Sequence, residues 1–415
     1  MEYGCIGEKL KHSFSKEIHA LLTDYNYEIK EIPKDSLREF MLAKNFRAIN
    51  VTIPYKRDII PFLDFVSDTA KSINAVNTIV NKNGKLYGYN TDFYGMTELI
   101  NREGIEIAGK KVLILGSGGT SSTAYAVVKA LNAKSVYTVS RSGGDGRITY
   151  EQAYIEHSDA DVIINTTPVG MYPNPDDMPI DLGKFKMLSG VVDAVYNPLR
   201  TKLVLEAKKR GIKATGGLYM LVAQAARAVE LFLDKEIDPK KIEEVYKKIE
   251  SKKQNIVLIG MPSSGKSTIG EKLAKRIEFD FVDTDEIIIN RAKMPITEIF
   301  KSVGEQGFRK LESEVIAEIS KNSGVVISTG GGAILNPKNV ENLRQNGKIY
   351  FIDRPLEWLT ATEDRPLSSN KADLEKLYKE RYPKYKAAAD VSFLADDDIE
   401  KNLKFIFKDI KEMIK

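Results

Sequence analysis

Cysteine and histidine are scarce in this sequence of 415 residues. Cys5 is the single cysteine, so the chain cannot form an intrachain disulfide or a cysteine-rich zinc site, and a reducing cytoplasm is the expected location. The only histidines are His12, His19 and His157. Lysine, aspartate and glutamate are therefore the expected carriers of catalytic protons.

The sequence also lacks a long hydrophobic run and a large excess of charge of one sign. No segment approaches the ~20 apolar residues of a transmembrane helix, and the N-terminus lacks a basic region followed by an apolar stretch. The 62 basic and 58 acidic residues leave a net charge of +4, which does not indicate a nucleic-acid partner. We therefore expect small-molecule partners, with no nucleic acid and no membrane, and the oligomeric state stays open.

A complete phosphate-binding loop with the spacing GxxxxGKS occupies residues 260–268. Its two glycines allow the backbone N–H groups to face phosphates, Lys266 can reach the outer phosphates, and Ser267 can ligate Mg²⁺. The apolar residues 255–259 predict a strand before the loop, and residues 267–277 predict a helix after it. The motif predicts binding of a nucleoside triphosphate but does not identify the acceptor.

A second glycine-rich loop, GxGGxS at residues 116–121, follows a predicted strand at 112–115 and opens a predicted helix at 120–131. A dinucleotide pyrophosphate requires this placement, although Ser121 replaces the third glycine of the usual fingerprint and an ordinary strand–helix turn is the alternative. Arg141 follows the next strand, where NAD enzymes carry an acid. Because arginine can pair with a 2′-phosphate, the sequence favours NADP over NAD; a merely solvent-exposed arginine is the alternative.

The chain length and the alternation of predicted elements indicate an α/β protein of several domains. Residues 1–100 are expected to form an α/β substrate-binding domain, completed by a returning helix at 217–233, and residues 101–216 a Rossmann NADP-binding domain. A charged, helix-forming segment at 234–254 is expected to be a semi-rigid linker. Residues 255–415 are expected to form a P-loop kinase domain with a parallel sheet flanked by helices.

Clusters of polar residues stand at the predicted strand ends of the first 250 residues. They are Ser13-Phe-Ser15, NVTIPYK at 50–56, NAVNT at 74–78, NTD at 90–92, NTTPVGM at 165–171, DAVYNP at 193–198 and GLYMLVAQ at 217–224. In this order the set resembles the shikimate dehydrogenase family. The resemblance implies NADPH-dependent reduction of 3-dehydroshikimate to shikimate; a quinate/shikimate dehydrogenase that uses NAD is the alternative.

The resemblance assigns Lys56 and Asp92 as the catalytic pair. Hydride delivery to a ketone makes an alkoxide, which an ammonium held by a carboxylate can stabilise and protonate. The other residues implied to bind shikimate are Ser13, Ser15, Thr52, Asn77, Tyr196 and Gln224. Those implied to bind NADP are Gly116, Ser117, Gly118, Gly119, Thr120, Ser140, Arg141, Thr166 and Gly217. For each shikimate-binding residue taken alone, a loop cap or turn role is the alternative.

Several further motifs follow the phosphate loop. They are FVDTD at 281–285, GEQGFR at 304–309 with Glu312, STGGG at 328–332, RPL at 365–367 and RYPKY at 381–385. In order and spacing they resemble shikimate kinase over residues 255–395. The resemblance implies ATP- and Mg²⁺-dependent phosphorylation of the shikimate 3-hydroxyl to shikimate 3-phosphate, and a generic small-molecule kinase is the alternative.

Phosphoryl transfer depends on positioning and on neutralising charge, tasks that the resemblance assigns to Lys266, the lid residue Arg365, and Asp285 at the acceptor hydroxyl. The residues implied to bind ATP are Gly260, Ser263, Ser264, Gly265, Lys266, Ser267, Thr268 and Arg365. Those implied to bind shikimate are Asp285, Arg309, Gly330, Gly331, Gly332 and Arg381, with the arginines on the carboxylate. Ser267 would ligate Mg²⁺ directly and Asp283 through water. A helix cap for Asp283 and a surface ion pair for Arg381 are the alternatives.

The two halves together predict a bifunctional enzyme of aromatic amino-acid biosynthesis. The product of the first reaction would be the substrate of the second. A non-enzymatic role for either half as a scaffold is disfavoured because both sites retain their reactive groups.

The predicted lid of the kinase half is short. Residues 358–364 offer no arginine before Arg365, where the kinase family usually has one near the adenine, and Arg354 lies at a predicted strand end. We therefore predict weak discrimination between nucleotides, measured as the ratio of the KM values for ATP and GTP. Values that differ by on the order of several hundredfold would contradict this prediction.

Overall fold

The computed structural model describes four parts of the chain: residues 1–10, 14–360, 367 and 370–414, with the side chains of 412–414 left out. Contacts within the chain divide it into two units, Met1–Ile249 and Glu250–Lys415. Over the described residues, the first unit contains two β-sheets and the second unit one. None of the helices in these parts combines the length and the apolar character needed to cross a membrane.

The first sheet of the N-terminal unit is mixed. Its strands are β1 (Tyr3–Gly7), β2 (Tyr27–Glu31), β3 (Ala48–Val51), β4 (Phe65–Val66), β5 (Thr78–Lys82) and β6 (Lys85–Tyr89). The order is β2-β1-β3-β5-β6-β4, with β1 parallel to β2 and β3, and β5 antiparallel to β3 and β6. The associated helices are α1 (Ser15–Leu22), α2 (Leu37–Ala43), α3 (Asp68–Ile73) and α4 (Thr91–Arg102). Ile6, Ile49 and Leu86 are fully buried between the sheet and α2.

The second sheet of this unit is entirely parallel. Its strands are β7 (Lys111–Leu115), β8 (Ser135–Val139), β9 (Val162–Asn165), β10 (Gly190–Asp193) and β11 (Lys213–Thr215), and its helices are α5 (Gly119–Ala130), α6 (Tyr150–Glu156) and α7 (Lys202–Lys209). The order is β11-β10-β9-β7-β8, so the winding reverses at β7. Ligands of such sheets bind outside the carboxyl ends of the strands at this reversal.

Helix α8 (Leu218–Leu233) follows the second sheet and packs on α4 and α1. Gly95 in α4 permits the close approach, because a β-carbon there would lie 2.5 Å from the carbonyl oxygen of Met220. The returning helix expected at 217–233 therefore rests on the first sheet's own helices.

Helix α9 (Pro239–Lys253) contains the division between the two units. Its residues Ile242, Val245 and Ile249 are buried in one cluster with α8. The guanidinium of Arg102 lies 4.8 Å from the ring of Tyr219 and 4.5 Å from that of Tyr246, and it forms an ion pair with Glu243 at 2.9 Å. The predicted linker at 234–254 thus includes a helix with an apolar stripe that packs on the N-terminal unit.

The sheet of the C-terminal unit is parallel and carries helices on both faces. Its strands are β12 (Asn255–Ile259), β13 (Asp280–Asp283), β14 (Val325–Ser328), β15 (Gly347–Asp353) and β16 (Val391–Leu394), in the order β13-β14-β12-β15-β16. Its helices are α10 (Lys266–Ile277), α11 (Thr284–Ala292), α12 (Ile296–Ile319), α13 (Pro337–Asn346), α14 (Lys371–Ala388) and α15 (Ile399–Ile414). Helix α12 is broken at Gly304, whose φ of 69° and ψ of 179° are a conformation for glycine alone.

Replacing Gly95 with alanine tests the contact between α4 and α8. A methyl group 2.5 Å from a backbone oxygen forces the helices apart, and we expect the N-terminal unit to lose about 1–2 kcal/mol after the gain in helix propensity is included. Gly119→Ala is the matched control, because a β-carbon there meets no atom within 4 Å. Thermal unfolding without nucleotide gives both values, and equal midpoints for the two variants would contradict the prediction.

Candidate active sites

A cavity of about 250 Å³ lies beside the carboxyl ends of β1 and β3. The structure brings seven of the sequence-predicted residues to its wall: Ser15, Thr52, Lys56, Asn77, Asp92, Tyr196 and Gln224. They come from α1, from the loops after β3 and β10, from the residue before β5, and from α4 and α8. Ser13 lies outside the described residues.

Lys56 and Asp92 form an ion pair in this cavity, with 2.6 Å between Nζ and Oδ2. Asp92 lies in the first turn of α4, where the helix dipole favours a negative charge. The side chain of Asn90 fixes that turn by accepting a hydrogen bond from the backbone N–H of Phe93 at 3.2 Å. The ammonium is therefore held at the wall of the cavity by a carboxylate whose own position is set by the helix start.

Asn50 and Thr91 also line the cavity, and the sequence analysis gave them no role. The amide nitrogen of Asn50 donates to the hydroxyl of Thr78 at 3.1 Å, and the backbone N–H of Thr91 donates to Oδ1 of Asn77 at 2.8 Å. Asn50 belongs to the NVTIPYK motif and Thr91 to the NTD motif, and this membership was the signal that could have identified them.

His19 and Cys5 complete one wall of the cavity as uncharged groups. The Nδ1 atom of His19 lies 2.7 Å from the hydroxyl of Tyr25, and the imidazole stacks on Tyr27 with 3.8 Å between ring centroids. Burial lowers the pKa of His19 to about 3 and raises the pKa of the Cys5 thiol to about 11. Neither group carries charge near neutral pH.

The loop after β7 has the geometry that a dinucleotide pyrophosphate requires. Gly116 has a φ of 110°, and a β-carbon there would lie 2.8 Å from the hydroxyl of Thr166, which itself donates to the carbonyl of Leu115 at 2.6 Å. Ser121 stands where the third glycine was expected, and its hydroxyl donates to the carbonyl of Gly116 at 2.8 Å. The serine thus closes the loop in place of the missing glycine.

The remaining predicted dinucleotide residues lie around this loop. Ser117, Gly118, Gly119 and Thr120 run from the end of β7 into the start of α5. Arg141 is exposed after β8, whereas Ser140 is buried and its hydroxyl has no hydrogen-bond partner in the described structure. Gly217 precedes α8, and a β-carbon there would lie 2.3 Å from the carbonyl oxygen of Ala194.

The phosphate loop of the C-terminal unit connects β12 to α10. Gly265 has a φ of 88°, and a β-carbon at Gly260 would lie 2.7 Å from the hydroxyl of Ser264. The Nζ atom of Lys266 donates to the carbonyl oxygens of Gly260 at 3.0 Å and Met261 at 2.9 Å. Ser263 donates to a backbone carbonyl at 2.7 Å, and Thr268 is exposed in the first turn of α10.

Ser267 and Asp283 offer oxygen ligands beside the phosphate loop. The Ser267 hydroxyl donates to Oδ2 of Asp283 at 2.7 Å, and Oδ1 of Asp283 accepts from the backbone N–H of Asp285 at 2.9 Å, which caps α11. No cluster of three His, Cys, Asp or Glu residues that could hold a metal occurs among the described residues. Mg²⁺ at phosphate sites uses one or two protein oxygens together with phosphate and water, so this pair fits Mg²⁺.

A second cavity, of about 460 Å³, opens next to the phosphate loop. The predicted residues Asp285, Arg309, Gly330, Gly331, Gly332 and Arg381 all line it. A β-carbon at Gly332 would lie 2.0 Å from Nη1 of Arg309, so a larger residue there would require that guanidinium to move. Arg381 is 4% exposed and donates to the carbonyl of Gly331 at 3.0 Å, which is not the surface ion pair considered as its alternative.

Glu312 and the aromatic wall of this cavity received no role from the sequence. Glu312 is 1% exposed and accepts a hydrogen bond from Arg309 at 2.9 Å. Burial raises the pKa of Glu312, and the neighbouring Arg309 partly opposes this effect. Phe300 and Phe308 pack 4.8 Å apart and also line the cavity. The spacing of three between Arg309 and Glu312 on one helix was the available signal.

Arg365, predicted to act at the transferred phosphate, lies outside the described residues, as do the lid residues 361–364. Arg354 forms an ion pair with Asp397 at 2.8 Å. The guanidinium of Arg354 thus has a carboxylate partner among the described residues.

Fold and site together define a dinucleotide-dependent oxidoreductase followed by a P-loop phosphotransferase. Residues 5–79 match the family model of the shikimate dehydrogenase substrate binding domain, and residues 262–415 match that of shikimate kinase. Shikimate dehydrogenase (NADP(+)) of Clostridium beijerinckii is 39% identical over 261 residues, which cover 59% of this chain and 96% of the relative. The chain belongs to the shikimate dehydrogenase family and carries a shikimate kinase domain in its C-terminal unit.

Solved structures agree with this assignment. The crystal structure of a chorismate mutase/shikimate 5-dehydrogenase fusion protein from Clostridium acetobutylicum is 36% identical, with a TM-score of 0.57 and coverage of 60% of this chain and 97% of that one. Shikimate 5-dehydrogenase from Thermus thermophilus, solved in complex with NADP(H) and shikimate, is 29% identical, with a TM-score of 0.54 and coverage of 60% and 99%. The predicted family, α/β fold class and enzyme classes are confirmed.

Acid should destabilise the N-terminal unit through His19. Its pKa is about 3 in the folded chain against 6.5 unfolded, so between these values the unfolded state binds the extra proton and stability falls as the pH falls. We expect His19→Gln, which can still bond Tyr25, to remove a loss of about 1.4 kcal/mol per pH unit between pH 6 and pH 4. Urea unfolding at several pH values measures this, and parallel pH profiles for the two proteins would contradict it.

Proposed function

We propose that this chain catalyses two consecutive reactions of the shikimate pathway. The N-terminal unit reduces 3-dehydroshikimate to shikimate with NADPH, and the C-terminal unit phosphorylates the 3-hydroxyl of shikimate with ATP. The observation that carries the proposal is that each matched region contributes reactive groups to a cavity: Lys56, which pairs with Asp92 beyond the matched residues 5–79, in one unit, and Lys266, Asp285 and Arg309 in the other.

In the first reaction, bound NADPH supplies a hydride to the ketone carbon. Lys56 Nζ donates a proton to the ketone oxygen as negative charge develops there. Asp92 keeps that ammonium in position through the contact of 2.6 Å. Thr52, Asn77 and Gln224 offer hydroxyl and amide groups to the substrate's hydroxyls, because all three line the same cavity.

NADP is favoured over NAD for two reasons. The exposed guanidinium of Arg141 stands after β8, where an acid would serve the ribose hydroxyls of NAD. The relative from Clostridium beijerinckii reported above carries NADP(+) in its name. The NAD-dependent quinate/shikimate alternative lacks comparable support.

In the second reaction, the residues of the C-terminal unit bind and orient two anionic substrates. Lys266 can exchange its two backbone carbonyls for phosphate oxygens, and the guanidinium groups of Arg309 and Arg381 match the geometry of the shikimate carboxylate. Asp285 is placed to orient the acceptor hydroxyl from the start of α11. Mg²⁺ bound with Ser267 and Asp283 would neutralise phosphate charge.

Neither reaction depends on a particular oligomeric state. The cytoplasmic location expected from the sequence stays a prediction. Small-molecule substrates alone are required for both reactions.

Single substitutions should separate the two activities. Lys56→Ala removes the proton donor, so we expect reduction of 3-dehydroshikimate to fall by at least about a hundredfold, while phosphorylation of supplied shikimate continues. Lys266→Ala should do the reverse, because it removes the cation that contacts the outer phosphates. NADPH oxidation and shikimate 3-phosphate formation are measured on each full-length variant. Loss of both activities in either folded variant would contradict the assignment of one lysine to each reaction.

A further inference from the structure

The charges at the wall of the dehydrogenase cavity do not balance. Three of the described lining residues are lysine or aspartate side chains: Lys9, Lys56 and Asp92. His19 and Cys5 are uncharged there, as shown above. Because Asp92 lies 2.6 Å from Lys56, these two charges neutralise each other, and among the described lining residues Lys9 is left without a countercharge.

Lys9 is an exposed residue on a turn whose neighbouring residues make close contacts. The backbone N–H of the next residue, Leu10, donates to the carboxylate of Glu31 at 2.8 Å. The turn after β1 packs closely on the loop after β3. A β-carbon at Gly7 would lie 2.7 Å from the side chain of Thr52, so glycine permits this approach. Throughout the described parts of the chain, no acceptor or acidic group forms a hydrogen bond or an ion pair with Lys9.

The substrate proposed above carries one carboxylate, and its ketone must face Lys56. A carboxylate is repelled by Asp92 and attracted by Lys9, the lining cation that has no countercharge among the residues that the structure describes. Lys9 lies after β1, on the segment that leads to Ser15, and neither on the loop after β3, which carries Lys56, nor on α4, which carries Asp92. We propose that the ammonium of Lys9 is a specificity-determining group that pairs with the substrate carboxylate of the dehydrogenase site.

This inference rests on the proposed function and is tested by steady-state kinetics of the full-length chain. Lys9→Met should raise the KM for 3-dehydroshikimate by about fivefold, the upper range for an exposed ion pair, and leave kcat and the KM for NADPH within about twofold. Lys9→Arg should retain the wild-type KM, and Lys9→Glu should raise it further than Lys9→Met. Lys82→Met, at an exposed lysine at the end of β5, removes the same net charge and serves as the matched control.

The methyl ester of shikimate separates charge from packing. It lacks the carboxylate charge, so wild type and Lys9→Met should oxidise the ester with NADP⁺ at equal KM. High salt should likewise reduce the difference between these two proteins with 3-dehydroshikimate.

The outcomes distinguish this inference from the function on which it rests. An unchanged KM for 3-dehydroshikimate in Lys9→Met, or an equal penalty with the acid and the ester, overturns the role of Lys9 alone. A wild-type chain that does not reduce 3-dehydroshikimate at all overturns the proposed function, and this inference with it.

Discussion

Close approach of backbone segments at the carboxyl ends of parallel strands is the constraint on which the nucleotide loops of both units depend. In the N-terminal unit, a β-carbon at Gly116 would lie 2.8 Å from the hydroxyl of Thr166. In the C-terminal unit, a β-carbon at Gly260 would lie 2.9 Å from the carbonyl oxygen of Ile352. Each glycine therefore lets the loop lie close to the end of a neighbouring strand. In loops of this kind, backbone N–H groups and the start of the following helix attract phosphates.

Lys56 and Lys266 are each fixed by hydrogen-bond acceptors, but these acceptors lie at different distances along the chain. Nζ of Lys56 lies 2.6 Å from Oδ2 of Asp92, in the first turn of α4. Nζ of Lys266 donates to the backbone carbonyls of Gly260 at 3.0 Å and Met261 at 2.9 Å, within the phosphate loop itself. The position of Lys56 therefore depends on a helix that is distant in sequence, whereas Lys266 is supported in part by its own loop.

Local motifs were sufficient to predict the loops, because each depends on residue types at fixed spacing. Features that depend on contact with residues distant in the sequence were harder to predict from local motifs. The hairpin of β5 and β6 turns at Asn83 and Gly84, with φ values of 53° and 82°. An Asn-Gly pair is a sequence signal for such a turn, and the expected domain organisation did not include this hairpin. The burial of Glu312 had no comparable signal, because a glutamate three residues after Arg309 is equally typical of an exposed helix face.

Asn77 shows why a residue's identity alone did not settle its role. A polar residue before a strand can bind a ligand or fix a turn, and Asn77 is placed for both, since it lines the cavity and its Oδ1 accepts the backbone N–H of Thr91 at 2.8 Å. Asp92 directly follows Thr91 in the sequence, so the hydrogen bond from Thr91 to Asn77 also positions the carboxylate that holds Lys56. The lining of the cavity and the support of the Lys56–Asp92 pair are therefore coupled through one amide. That coupling exists only in the folded chain, because residues 56, 77 and 92 meet through the pairing of β3 with β5 and the start of α4.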